Sequence, residues 1–196
     1  MTLFKDKYRA ESSRLKGWDY ASEGYYFVTI CTLNRGCFLG GIIDGMLRLS
    51  EVGKMAEIYW REIPDHFENV RLDEFIIMPN HLHGIVIIGN QSNNGRDVAC
   101  NVSTPCNAST NDKFMSRISP KSGSLGAVIR SYKSALTRWC REYNHDFGWQ
   151  ARFHDHIIRD ERSLDEIRKY IANNPLKWDL DEENPVNIKS YIAVET

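Results

Sequence analysis

No stretch of this 196-residue chain approaches the roughly 18 consecutive apolar residues that a membrane-spanning helix needs, so no such span is expected. The opening residues, MTLFKDKYRAESSRLKGWDY, are charged throughout and contain no apolar segment of the kind that directs secretion. No C-x-x-C pair occurs. The five cysteines, Cys31, Cys37, Cys100, Cys106 and Cys140, are odd in number, which without a leader points to a reducing compartment and to incidental thiols rather than a disulfide framework. A cytoplasmic location is the expectation. There is no internal repeat. Net charge is nearly absent as well, at -1, so the chain as a whole is not a strongly basic nucleic-acid binder.

Hydrophobic residues make up 42% of the chain, enough for one core, and a single domain over residues 1–196 is expected. Charge is unevenly spread. Residues 113–178 carry 13 Lys and Arg against 7 Asp and Glu, whereas 179–196 carry 1 Lys and 5 acids. A basic segment of that kind can face an anionic partner while an acidic tail offsets it.

Aromatic and β-branched residues predict strands at 24–33, 70–78, 81–89 and 152–160. Helical spacing predicts a helix over 49–67, with Ser50 as N-cap, Val52, Met55, Ile58 and Tyr59 recurring on one side, and Pro64 as its end. A second helix is predicted over 124–144, with Leu125, Val128, Ile129, Tyr132, Leu136 and Trp139 inward. A third spans 163–175, opened by a Ser163–Glu166 capping box and stopped at Pro175. Residues 90–119, rich in Asn, Ser and Thr, read as a flexible insertion. The order β-α-β-β-α-β-α implies an α+β fold: a ferredoxin-like split βαβ antiparallel sheet with an added C-terminal helix.

One short motif carries chemistry. In MPNHLHG, residues 78–84, the histidines His81 and His83 are two apart. On a strand they project from one face, separated by roughly 6–7 Å, which suits two imidazoles converging on one divalent ion. The same spacing also fits two buried, hydrogen-bonded histidines, so a third ligand is required to decide. On the last predicted helix Tyr170 and Asn174 sit one turn apart, beside the apolar stripe Leu164, Ile167 and Ile171. His154 and His156 form a second pair, HDH, on the last predicted strand.

Taken together, YYFVTICTLNRGCFLG, LDEFIIMPNHLHGIVII, WQARFHDHIIRD and IRKYIANNPLKW resemble the REP-associated tyrosine transposases, members of the HUH single-tyrosine group, over residues 18–178. The resemblance implies that His81 and His83 hold Mg²⁺ or Mn²⁺ and that Tyr170 is the nucleophile. It implies Asn174 as third ligand, where related enzymes carry glutamine; Glu74 or a water is the alternative. It implies a substrate that is a single-stranded DNA hairpin from repetitive palindromic elements, cut and rejoined through a covalent 5′-phosphotyrosine, by a monomer or a homodimer. The phenol, with an ordinary pKa of about 10, needs help to ionise, from the metal or from Arg168 or Lys169. For DNA contact, cations and aromatic platforms are the required chemistry; Arg35, Lys133, Arg152, Arg159 and Trp149 are the candidates, with Trp18 and Tyr20 behind them. Two other readings stay open: a catalytically silent hairpin-DNA-binding module, and a metal-dependent phosphodiester hydrolase that activates water.

Overall fold

Alternation along the strands builds the sheet, and it is visible residue by residue. In the computed structural model, which describes residues 15, 17–43, 46–89, 120–180 and 184, strand β1 runs over Gly24–Cys31. Tyr26, Val28 and Ile30 are fully buried, while Tyr25, Phe27 and Thr29 between them are not. A short hairpin, β2 (Gly40–Ile43) and β3 (Met46–Leu49), makes a separate two-stranded sheet. The sequence reading did not foresee it. Helix α1 (Glu51–Arg61) and the single turn α2 (Ile63–His66) follow, then β4 (Val70–Ile77), β5 (His81–Ile88), α3 (Leu125–Glu142), β6 (His154–Ile158) and α4 (Glu161–Asn173). A 3₁₀ segment, Asn174–Leu180, continues from α4.

The four long strands form one sheet in the order β4-β5-β1-β6, with every neighbouring pair antiparallel. This is the expected ferredoxin-like order, and the fold is α+β with the added helix α4. Strand β5 lies between β4 and β1, and all of it except Ile87 is buried. Leu82, Val86 and Ile88 point to one face, where α1 and α3 complete the main core with Trp60, Leu125, Val128, Ile129 and Leu136. Gly84 belongs to this face for a steric reason: a Cβ there would lie 2.5 Å from the Trp60 ring. The opposite face carries a smaller apolar cluster, Ile85, Ile158, Leu164 and Ile171, which seats α4.

Several boundaries differ from the sequence reading. Ser50 does cap α1, accepting from Gly53 N–H at 3.0 Å. The helix ends at Arg61, however, and Pro64 lies in the first turn of α2 rather than ending α1. Its inner stripe is Val52, Ala56 and Trp60, while Ile58 is exposed. Spacing of four in a row outweighs the apolar character of Ile58. Helix α4 starts two residues early, because Asp160 accepts from Ser163 N–H at 2.8 Å and takes the capping role. Glu166 pairs with Arg162 instead. Pro175 does not stop the chain's helical course; it sits in the 3₁₀ segment. The expected insertion at 90–119 and most of the acidic tail lie outside the described residues. Among the described residues no helix is long and apolar enough to cross a membrane.

Candidate active site

The site begins at the turn into β5. Asn80 is fully buried and held by its surroundings: its carbonyl accepts from Thr32 N–H at 2.9 Å, and its Nδ2 donates to the Arg35 carbonyl at 3.0 Å. Arg35 presents that carbonyl from a left-handed backbone (φ 55). With Nδ2 so committed, Asn80 Oδ1 faces His81 Nδ1 at 2.9 Å and can only accept. The His81 proton is therefore on Nδ1, and the lone pair is on Nε2. That Nε2 is buried and has no hydrogen-bond partner among the described residues. Burial, assisted by the charge of Arg35, pushes the His81 pKa down to about 3, so the ring is neutral at physiological pH.

His83 points the same way, and the two rings approach to 4.4 Å between centroids. Its Nδ1 shares a 2.9 Å hydrogen bond with Thr29 Oγ1, directly opposite on β1. Its Nε2 shares a 3.2 Å hydrogen bond with the Tyr170 hydroxyl. Phe27 stacks beneath His83 at 5.3 Å and meets the Tyr170 ring edge-on at 6.1 Å. Tyr170 is 45% exposed, so its oxygen is reachable from solvent while His83 holds it.

Helix α4 is fixed in rotation by more than its apolar stripe. Arg168 grips Asp73 of β4 with two hydrogen bonds, Nε to Oδ1 at 3.0 Å and Nη2 to Oδ2 at 2.6 Å, and also reaches Asp165 at 3.2 Å. The pairing holds the Asp73 carboxyl below the usual range and raises Arg168. Beyond Tyr170 the chain passes Asn174 and brings Trp178 to 6.2 Å from the His81 ring. Asn174 lies between these two anchor points in sequence. It is almost fully buried, and its Oδ1 has no hydrogen-bond partner among the described residues.

The predicted residues thus divide. His81, His83 and Tyr170 are brought together within one chain, and Asn174 follows at the C-cap of α4, where the 3₁₀ segment begins. Glu74 is exposed, in the irregular stretch of β4 between Leu72 and Phe75. Arg168 is committed to two carboxylates; Lys169 is exposed. Among the described residues no three His, Cys, Asp or Glu side chains cluster as a metal site. A cation here would rest on two imidazoles and the Asn174 amide. His81 Nε2 and Asn174 Oδ1, both buried and without a hydrogen-bond partner among the described residues, are of the donor type that suits Mg²⁺ or Mn²⁺.

Three of the DNA-contact candidates, Lys133, Trp149 and Arg152, lie close together. Lys133, on α3, donates to the carbonyls of Gln150 and Arg152, and burial lowers its pKa to about 8. Trp149 packs on Phe147 at 4.9 Å and Tyr132 at 5.8 Å. Both line a cleft of about 810 Å³ with Arg130, Arg138 and Arg141. Arg152 and Arg159 are exposed, next to β6. Trp18 donates to the Tyr26 hydroxyl at 3.2 Å, and Tyr20 packs against the core. The sequence reading missed Asn80, Thr29, Phe27 and the Asp73–Arg168 clamp. Only Asn80 had a signal, its place immediately before His81.

Known proteins match this picture at two levels. No family model matches the chain. A solved structure, a REP-associated tyrosine transposase bound to a REP hairpin, overlays with a TM-score of 0.53 over 84% of this chain and 73% of its own, at 16% identity. That likeness shows a shared fold. A second solved structure, from Deinococcus radiodurans, overlays at only 0.36 and carries no argument. A curated protein of Haemophilus influenzae, described only as uncharacterized, is 39% identical over 175 residues, 87% of this chain and 91% of that protein. At that identity and coverage the chain belongs to one family with the Haemophilus influenzae protein, built on the fold seen in a REP-associated tyrosine transposase.

Proposed function

We propose that the protein is a metal-dependent transposase-type endonuclease that nicks and rejoins single-stranded DNA through Tyr170. The observation that carries this reading is the convergence at one end of β5: a solvent-accessible phenol on His83, beside a neutral His81 whose free nitrogen is aimed into the site. His81, His83 and Asn174 would hold Mg²⁺ or Mn²⁺. When bound, such a cation offsets the negative charge of the phosphate under attack and orients it.

The chain's own residues do the rest. Asn80 and Thr29 fix the two imidazoles, and Phe27 sets the direction of the Tyr170 ring; the Tyr170 hydroxyl, which now rests on His83 Nε2, would release that nitrogen to a bound cation. The Tyr170 oxygen forms a bond to phosphorus as the bond to the 3′ oxygen breaks. The product is a 5′-phosphotyrosine and a free 3′-OH, and the bond energy is kept for rejoining. The partner is a DNA hairpin of palindromic repeats, a reading supported by the hairpin bound to the protein of the same fold. Arg35, Lys133, Arg152, Arg159 and Trp149 would contact it. Lys133 acts mainly by shaping the 149–152 segment that it holds.

The test is a cleavage assay with labelled hairpin DNA from the flanks of its own gene, with and without Mn²⁺, on wild type and Tyr170→Phe. A metal-dependent, covalently labelled protein band in wild type alone is the expected result. Cleavage that survives Tyr170→Phe without a covalent band would establish the water-activating hydrolase instead. Tight binding of the hairpin with no cleavage in either ion condition would establish the silent binding module.

A further inference from the structure

His154 and His156, set apart in the sequence by their spacing, take no part in the arrangement described so far. Their position on the sheet gives them one. In the antiparallel pairing of β6 with β1, His154 lies opposite Thr29 and His156 opposite Phe27. On the other side of β1, Thr29 lies opposite His83 and Phe27 opposite Ile85. Directly opposed residues on antiparallel strands project from the same face. Two rows therefore cross the sheet under Tyr170: His83, Thr29, His154, and then Ile85, Phe27, His156. Strands are spaced about 4.8 Å apart, so His154 stands roughly 10 Å from His83 at the backbone. Tyr170 spans both rows, with its hydroxyl on His83 and its ring edge on Phe27.

The two halves of this face are unlike. Helix α4 covers the β4–β5 half, clamped there by Arg168 on Asp73 and seated on Ile85. Beyond Ile158, which is buried with Leu164, the β1–β6 half is open. Tyr25 is 38% exposed, His154 and His156 are exposed, and Phe27 and Thr29 are only half-buried. A phosphodiester can reach the Tyr170 oxygen from this shelf, because the helix itself walls the other side. In phosphoryl transfer the attacking and leaving oxygens stand roughly in line across phosphorus. Attack by the Tyr170 oxygen on a phosphate lying over this shelf would place the leaving oxygen on the β6 side of the site.

Resting on the tyrosine-nuclease reading, we propose that His154 is a further catalytic residue, the one that exchanges a proton with the departing 3′ oxygen. In cleavage the Tyr170 oxygen bonds to phosphorus and its proton passes to water. The bond from phosphorus to the 3′ oxygen breaks, and the electron pair left on that oxygen takes a proton from the His154 imidazolium. Neutral His154 regains a proton from water, so the net change moves one proton from the phenol to the 3′-OH. In rejoining, neutral His154 accepts the proton of the incoming 3′-OH. General acid–base help of this kind contributes about 10²–10⁴-fold.

The experiment compares two substrates in Mn²⁺: the labelled hairpin strand from the gene's flank, and the same strand with sulfur replacing the bridging 3′ oxygen at the position where wild type cuts. A thiolate leaves without a proton. His154→Ala is expected to slow covalent adduct formation on the oxygen strand by roughly 10²–10⁴-fold and to cut the sulfur strand at close to the wild-type rate. Thermal unfolding of the variant at the wild-type midpoint shows that the fold is intact. Wild-type rates for His154→Ala on both strands overturn the proposal. Equal losses on both strands assign His154 a structural role and overturn it as well. Absence of any covalent adduct with wild-type protein on either strand would overturn the tyrosine reading itself, a separate failure with its own signature.

Discussion

The two faces of the sheet are made from the same strands and behave as two materials. On the α1–α3 face, Tyr26, Val28, Ile30, Leu82 and Val86 are all fully buried, and close packing is the main requirement each one meets, the Tyr26 hydroxyl alone also hydrogen-bonding, to the Ser22 carbonyl. On the α4 face, the intervening residues are Phe27, Thr29, His81 and His83. There the interior is polar at one end, apolar at the other, and open along β6. A period of two lets one strand serve both ends without compromise. The lesson is that stability and chemistry are separated here by the thickness of a sheet, so neighbouring residues should differ in what their loss does.

The strongest contrast is on Tyr170 itself. Tyr170→Phe should reduce covalent adduct formation by roughly 10⁴-fold or more while leaving the unfolding midpoint almost unmoved, since the side chain is half in solvent. Leu82 and His83 are adjacent in the chain and sharpen the comparison further. Leu82→Ala should cost about 2–5 kcal/mol in denaturant unfolding. His83→Ala should cost about 1 kcal/mol yet abolish metal-dependent cleavage. Equal stability losses at the two positions would break the division between faces.

Acid should act on the site face selectively. The unfolded chain protonates His81 near its ordinary value of 6.5, whereas the folded chain resists until about 3. The unfolded state thus binds more protons in between, and stability falls as pH drops from 6.5 towards 3. His81→Asn should flatten that slope in unfolding measured across this range. The Arg168–Asp73 clamp is partly exposed, so Arg168→Ala should cost only about 1 kcal/mol. Because Asp73 titrates below its ordinary 3.8, the clamp is complete above that value. It is lost as pH falls through the lowered one, and the variant should lack that last acid step. Arg162→Ala, removing a solvent-facing pair with Glu166, should change stability by less than about 0.5 kcal/mol.

Much of this contrast was legible in the residues. Aromatic and β-branched runs marked the four strands, their alternation with the helices implied the sheet, and H-x-H on the third strand put the histidines on a common face. Tyr170 and Asn174, one turn apart beside Leu164, Ile167 and Ile171, already belonged to one side of one helix. What was hidden depends on contacts far apart in sequence. Asn80 reads as turn punctuation until the Arg35 carbonyl claims its amide. Asp73 and Arg168, 95 residues apart, carry no local mark of each other. The hairpin β2–β3 was overlooked although Asp44-Gly45 between two short runs is a strong loop signal. At the start of α4 two good caps compete, and Asp160 prevails over Ser163 because β6 has already ended at Ile158.

The hydrogen bond between Tyr170 and His83 closes within one chain, and that has a meaning in genetic terms. On the proposed site, closed within one chain, a cell carrying one allele without Tyr170 and another without His83 would hold two incomplete sites and no complete one. Such alleles should fail to complement, whatever their dosage.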